Sequence, residues 1–188
     1  SGGHTSIYLM DKIFKYKLLG ETRDDAIGES YDKVSKILKP GYPGGKIIDD
    51  ISLEHTTEMV IPTSKLEGYS MSFSGLKSKV LELSKTKADP KDIAVAFQNS
   101  AVDQLMGKVK KAIKQYKVKD VIIGGGVAAN SLLRSELNAL KGINVHLPKI
   151  IYTGDNAAMV GYLCSIKISR RAIKPIELDA DANPREKI

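Results

Sequence analysis

The sequence predicts an α/β fold, a mixed sheet flanked by helices, from three observations. Two segments, KDVIIGGGVAANSLLRSELNAL and KIIYTGDNAAMVGYLCSIKI, each read as a strand, a glycine-bearing turn and a helix. Residues Thr5 to Glu21 alternate in character on either side of a polar turn at Asp11-Lys12, which reads as a β-hairpin. The stretch DPKDIAVAFQNSAVDQLMGKVKKAIKQY repeats apolar residues at three- and four-residue spacing, the pattern of a long amphipathic helix. With 188 residues and 42% hydrophobic composition, the chain can build one compact domain around a substantial core.

The elements follow in order. After the hairpin, TRDDAIGESYDKVSKILK changes to helical period, with Ala26, Ile27, Tyr31, Val34, Ile37 and Leu38 on one face and Asp24 or Thr22 as N-cap. PGYPGG stops that helix, because proline cannot continue it and glycine permits positive φ. Between Lys46 and Pro90 the pattern predicts a short helix after Gly45, an extended stretch near TEMVIP, a Ser/Gly-rich connection and a helix through SGLKSKVLELSK. Asp89 caps the long helix and Pro90 takes its first position, while Lys108, Lys110, Lys111 and Lys114 crowd its end, where cations suit the helix dipole. INVHLP reads as a further β segment, and the tail from Arg170 loses periodicity. No internal repeat or low-complexity tract is present.

Composition narrows the function. Lys and Arg number 29 against 22 Asp and Glu, a net +7, which suits an anionic partner such as nucleic acid or nucleotide phosphates, or serves solubility. The single cysteine, Cys164, excludes internal disulfides, fits a reducing compartment, and lies in an apolar run that predicts a buried, inert thiol. No run approaches the roughly 18 apolar residues of a membrane helix and no signal peptide is visible, so the expectation is a soluble, cytoplasmic protein. His4, His55 and His146 have neither HxxxH nor HExxH spacing, so no histidine-rich metal site is expected within this chain, and His146 reads as structural.

Four small clusters resemble phosphate-cradling turns: Ser1-Gly2-Gly3, Tyr42-Pro43-Gly44-Gly45, Gly124-Gly125-Gly126 and Thr153-Gly154-Asp155-Asn156. Glycines beside a helix start let a nucleotide meet free N–H groups, and equally serve tight strand–helix packing. The default role for Asp155, which opens a helix, is capping. The triple glycine is neither GxGxxG nor a P-loop. Asp25, Glu29 and Asp32 fall at i, i+4 and i+7, a face that is either solvated or the floor of a polar site.

The motifs SGGHT, LLGETRDDAIGESYDKVSKIL, GYPGG, FSGLKSKV, GGGVAANSLLR and YTGDNAAM, in this order and spacing, resemble the C-terminal half of the tRNA N6-adenosine threonylcarbamoyltransferase family, formerly called glycoprotease or O-sialoglycoprotein endopeptidase. The resemblance runs from Ser1 to about Gly161. It implies one lobe of the actin-like ATPase fold over residues 1–164, with a helical insertion over about 46–118 and a tail over 165–188. It also implies an acyltransferase moving threonylcarbamoyl from threonylcarbamoyl-AMP to N6 of the adenosine next to the anticodon, in tRNAs reading codons that begin with A. Ser1, Gly2 and Gly3 would contact the phosphoryl or acyl-phosphate group, Asp32, Gly45 and Asp49 the ribose and its surroundings, and Asn130 the adenosine of ATP or threonylcarbamoyl-AMP. Asp155 would be one ligand of a single Fe or Zn ion, the other protein ligands lying on an N-terminal lobe.

The resemblance further implies tRNA, that N-terminal lobe and companion proteins of the threonylcarbamoylation complex as partners, and no membrane. The family's earlier phosphate loop and His-x-x-x-His pair are not in this sequence, so the chain is expected to be half of a longer enzyme, inactive alone, with Ser1 to Gly3 frayed. Two other readings stand beside it. One is a non-catalytic nucleotide-binding or dimerisation lobe, against which the set Asp32, Gly45, Asn130 and Asp155 argues. The other is a metalloendopeptidase, for which HExxH is lacking.

Overall fold

Twelve residues of helix, Ile27–Leu38 (α1), begin the α-helical part of the fold, and their start is set from a distance. Neither Thr22 nor Asp24 caps α1. The buried Thr5 accepts the Ile27 amide on its Oγ1 at 2.9 Å, and Glu29 reaches back to the Ala26 amide at 3.4 Å. Asp24 instead caps a later helix, Ser74–Leu83 (α3): its Oδ1 accepts from the amides of Phe73 (2.8 Å) and Ser74 (3.2 Å), and its Oδ2 from the hydroxyls of Ser72 and Ser74. The sequence pattern identifies a capping residue, but a cap acts wherever free helix amides meet it in space.

The computed structural model describes residues 3–170, so the expectations placed on Ser1, Gly2 and the tail beyond Arg170 lie outside the described residues. The chain divides into two compact units, Ser1–Thr153 and Gly154–Ile188. In the first, the hairpin Ser6–Lys12 (β1) and Lys15–Glu21 (β2) pairs antiparallel. Its turn lies at Ile13-Phe14 rather than Asp11-Lys12, because Lys12 pairs with Lys15 and Phe14 takes a positive φ of 66°. Asp120–Ile122 (β3) and Asn144–His146 (β4) pair parallel. The α/β class is the one expected, with antiparallel and parallel pairings in two separate two-stranded sheets.

The core is helical. Pro90–Tyr116 (α4) opens with Asp89 accepting the Lys91 amide and Pro90 in the first turn, as expected. Its buried Ile93, Phe97, Ala101, Val102 and Met106 pack with Tyr31 and Val34 of α1, Ile48 of Gly44–Glu54 (α2), Leu76 and Val80 of α3, and Leu133 and Leu137 of Ser131–Asn138 (α5). Tyr31 meets Phe97 edge to face, centroids 5.0 Å apart. TEMVIP forms no paired strand: Ile61 enters the core and its carbonyl accepts from the Ser100 hydroxyl at 2.7 Å.

Two of the four lysines near the end of α4 act less on the dipole than on the preceding loop. Lys108 donates to the carbonyls of Leu66 and Gly68, and Lys111 to Gly68, its ammonium 5.3 Å from the Tyr69 ring centroid. Burial, followed by repulsion from Lys111, pushes the Lys108 ammonium below its ordinary pKa.

The segment Ile150–Tyr152 is a single 3-10 turn, not the strand that KIIYT predicts. The Thr153 hydroxyl and amide both donate to the Ile150 carbonyl, a local closure that competes with strand pairing. In the second unit, Ala157–Ser169 (α6) is apolar on every side, so the helix by itself defines no buried face, and Cys164 is exposed rather than buried.

Three measurements check this account. Asp24→Ala removes the α3 cap and should lower stability by about 1–2 kcal/mol in urea unfolding. Lys39 ends α1 in the left-handed region (φ 66°), so Lys39→Gly should stabilise by about 0.5–1 kcal/mol.

The third concerns pH. Burial pushes the Asp24 carboxyl up, but its four hydrogen bonds together hold it below the ordinary range. Asp25 is held low first by the Lys33 hydrogen bond, with Lys77 adding to it against burial. A depressed carboxyl contributes fully above its unfolded value of about 4 and loses that contribution as pH falls through the folded value. The urea midpoint should therefore fall as pH drops below about 4, and less steeply in Asp24→Asn.

Candidate nucleotide site

Asp32 sits in the middle of α1 and turns its carboxylate to the start of α2, where Oδ1 accepts the Gly44 amide at 2.8 Å. Pro43, at the cap position of α2, has no side chain that can do this. Gly44 is buried, and a Cβ there would lie 2.5 Å from the Tyr31 carbonyl oxygen, 2.7 Å from Ser35 Cβ and 2.8 Å from Asp32 Cα. Glycine is therefore required for α2 to approach α1 this closely. At Gly45 a Cβ meets nothing within 4 Å. The two neighbouring glycines thus differ: one closes the contact between helices, the other faces open space. Along α1 and the loop that follows it lies an open cleft of about 500 Å³, lined by Glu29, Asp32, Lys36, Lys39, Gly41 and Tyr42 among others.

One turn beyond Gly45, Asp49 reaches from α2 to the N-terminus of α5. Both of its oxygens accept from the Ser131 amide (3.1 and 3.0 Å), Oδ2 accepts the Ser131 hydroxyl, and Oδ1 accepts Asn130 Nδ2 at 2.9 Å. A carboxylate at a helix N-terminus meets free amides and the positive end of the dipole. Asn130 is buried and caps α5, its Oδ1 accepting the Leu133 amide at 2.9 Å while Nδ2 also donates to Gln98 Oε1 at 2.8 Å. Burial first, and the Asp49 charge second, push the Tyr31 phenol well above its ordinary pKa, so this buried hydroxyl stays protonated beside the network.

The glycine turn before α5 begins at Gly125, whose φ of 89° favours glycine, and continues as a single 3-10 turn over Gly126–Ala129. Arg134 fastens that turn, donating to the carbonyls of Ala128 (2.7 Å) and Pro148 (3.2 Å).

The structure thus joins Asp32 to the Gly44-Gly45 turn, and Asp49 to Asn130. Gly3 is exposed, and Ser1 and Gly2 lie outside the described residues. Asp155 belongs to the second unit and is exposed; the capping role expected of it falls to its neighbour Asn156, which accepts the Met159 amide at 3.0 Å. The acidic face of α1 is compensated rather than left to repel: Lys33 bridges Asp25 (2.6 Å) and Glu29 (2.7 Å), and Lys77 adds a second partner to Asp25.

Among the described residues the one gathering of metal-type ligands is His55, Asp89 and Asp92, whose atoms lie within 4.8 Å of one another. His55 Nε2 meets Asp92 at 2.8 Å, and hydrogen bonds from His55 and then Thr57 hold the Asp92 carboxyl low. His55 thereby ties the end of α2 to the start of α4, a pairing invisible to sequence spacing. Asp155 gathers no comparable set, so these residues alone do not fit a transition-metal ion.

Sequence reasoning placed Gly44 in a candidate turn without its packing role, and missed Ser131, Arg134 and Gln98. The signal for Gln98 was present: it stands four residues after Ala94 and three before Ala101, a polar residue on the buried face of an amphipathic helix.

The glycine contrast is testable by thermal unfolding. Gly44→Ala should destabilise by about 2–3 kcal/mol because its Cβ strikes backbone, whereas Gly45→Ala, free of contacts within a helix, should be neutral or stabilising by up to about 1 kcal/mol.

The family model described as tRNA N6-adenosine threonylcarbamoyltransferase matches residues 1–162. Relatives carrying that description include one from Thermodesulfovibrio yellowstonii, 45% identical over 195 residues, covering 97% of this chain and 59% of the relative. Another, from Sulfurihydrogenibium sp., is 40% identical over 193 residues, covering 100% of this chain and 57% of the relative. The chain therefore spans a little over half the length of these curated relatives. Among solved structures, HypF of T. kodakarensis aligns with a TM-score of 0.62 at 19% identity, over 84% of this chain and 21% of that one. That likeness shows the fold alone, and at this coarse level it agrees with the lobe of the actin-like ATPase fold that the sequence resembles. With the family match running from the first residues through both glycine turns to residue 162, the chain belongs to the tRNA N6-adenosine threonylcarbamoyltransferase family.

Proposed function

We propose that the chain supplies the nucleotide-holding half of an acyltransferase that carries threonylcarbamoyl from threonylcarbamoyl-AMP to N6 of the adenosine next to the anticodon, in tRNAs reading codons that begin with A. Supporting this is the family match together with one structural observation: Asp32, Gly45, Asp49 and Asn130, placed by the resemblance on the nucleotide, are tied into two neighbouring helix N-termini.

In this reading the lobe covers residues 1–164 with its helical insertion over about 46–118. Ser1, Gly2 and Gly3 contact the acyl-phosphate, and Gly45 leaves room for the ribose beside α2. Asp32, whose Oδ1 is held by the Gly44 amide, offers Oδ2 to a ribose hydroxyl, a task that suits a carboxylate acceptor. Asp49 and Asn130 hold the α5 N-terminus toward the adenosine. The adenosine N6 attacks the carbamoyl carbonyl carbon, the bond from that carbon to the phosphate oxygen breaks, AMP leaves with the electron pair, and N6 gives up a proton. Holding the two reactants in attack geometry is the main contribution of such a site.

Asp155 would add one carboxylate to an Fe or Zn ion completed by residues of an N-terminal lobe. The partners are tRNA, that lobe and the companion proteins of threonylcarbamoylation. The setting is the cytoplasm; no helix among the described residues is long and apolar enough to cross a membrane.

The test is reconstitution. The chain mixed with a separately produced N-terminal lobe of a relative, tRNA and threonylcarbamoyl-AMP should yield threonylcarbamoyladenosine, read by mass spectrometry of nucleosides, and Asp32→Ala should reduce the yield at least tenfold. A folded, associated mixture that modifies no tRNA while still binding ATP would instead favour the non-catalytic lobe.

A further inference from the structure

Gln98 carries no role in the reaction as described, yet it is fully buried and every polar atom of its amide is used. From the middle of α4 its Nε2 donates to Asp49 Oδ1 at 3.3 Å and to the Ser52 hydroxyl, both on α2, while its Oε1 accepts from Asn130 Nδ2 at 2.8 Å. The amide has only one workable orientation, because turning it over would set Oε1 against the Asp49 carboxylate and Nε2 against the Asn130 amine. Asn130 in turn has one orientation, since its Oδ1 must take the Leu133 amide. We infer that Gln98 is a positioning residue for the nucleotide site: it sets Asp49 and Asn130, and through them the distance between the Gly44-Gly45 end of α2 and the glycine turn that leads into α5. This rests on the nucleotide reading above.

Gln98 suits this task because it is neutral and both donates and accepts. A hydrocarbon of the same size would leave Asn130 Nδ2 short of one partner and Asp49 and Ser52 short of one donor, in a place without water to replace them. A carboxylate would restore the acceptor but lose the donor and stand beside Asp49, and like charges so close raise the proton affinity of the pair. Once protonated, a carboxyl again donates on one side and accepts on the other. The titratable groups in this network are Asp49 of α2 and Tyr31 of α1; Arg134 of α5 is engaged with the carbonyls of Ala128 and Pro148.

The experiment is isothermal calorimetry of ATP binding by the 188-residue chain, comparing each variant with the wild type at the same pH between 5.5 and 8 (about neutral and below, spanning the range in which a paired buried carboxyl titrates). Gln98→Glu should weaken ATP about tenfold at the upper end and recover to within about twofold at the lower end. Gln98→Met should weaken ATP about tenfold at every pH with no recovery, and it serves alone if Gln98→Glu does not fold.

A residue that merely stabilised the fold would lower the unfolding temperature but leave ATP affinity of the folded fraction unchanged, and that result overturns the proposal. So does a Gln98→Glu loss that is the same at all pH values. A wild-type chain that binds no ATP overturns the nucleotide reading itself, and the role of Gln98 with it. Wild-type binding that both variants match overturns only the latter.

Discussion

Two fully embedded amides, Gln98 and Asn130, constrain how three helices meet. A buried polar group without a partner costs more than most packing gains, so each amide must find its complement. Gln98 on α4 can be satisfied only if Asp49 and Ser52 of α2 lie on one side of it and Asn130 at the head of α5 on the other. Apolar packing of Phe97, Tyr31 and Ile48 brings the helices together, but hydrophobic contact is tolerant of small sliding and rotation. The hydrogen bonds are not, and they hold α2, which begins at Gly44 and Gly45, in one relation to the glycine turn that leads into α5.

The same economy recurs among the acidic residues. Asp24, Asp25, Glu29 and Asp32 crowd one short stretch, where four charges would repel. All four are engaged: Asp24 by the amides and hydroxyls at the head of α3, Asp25 and Glu29 by Lys33, Asp25 also by Lys77, and Asp32 by the head of α2. Helix N-termini recur as partners of these carboxylates, as expected where unpaired amides and the dipole coincide. A segment that reads as one polar patch thus acts as a junction from which α1, α2 and α3 are oriented.

Much of this was legible in the sequence. Period alone marked the hairpin, α1, α3 and α4, because burial of one face imposes a repeat that survives without knowledge of the neighbours. Proline and aspartate marked the start of α4, since Asp89 caps the helix it precedes. One of the glycine clusters contains Gly44, where the backbone needs room, and the ordered motifs marked the family. What failed were statements about partners. Thr22 and Asp24 looked like caps of α1, but the amide of Ile27 is taken by Thr5, from the far side of the hairpin, and Asp24 serves a helix fifty residues on. KIIYT has strand-like residues, and a threonine hydroxyl closes it into a turn.

The sequence by itself therefore determined the hairpin, the helices and which lineage of enzymes the chain joins, because these depend on local propensity, period and the order of motifs; it did not determine the place of the hairpin turn or the turn at KIIYT. Only the tertiary structure decided that Gly44 rather than Gly45 must be glycine, that Asp49 grips the head of α5, that His55 meets Asp92, and that Gln98 stands at the centre of the polar network. Each of these is a contact between residues far apart in the chain. Such contacts follow from how helices pack, and packing is a property of the whole set of buried side chains rather than of any one stretch.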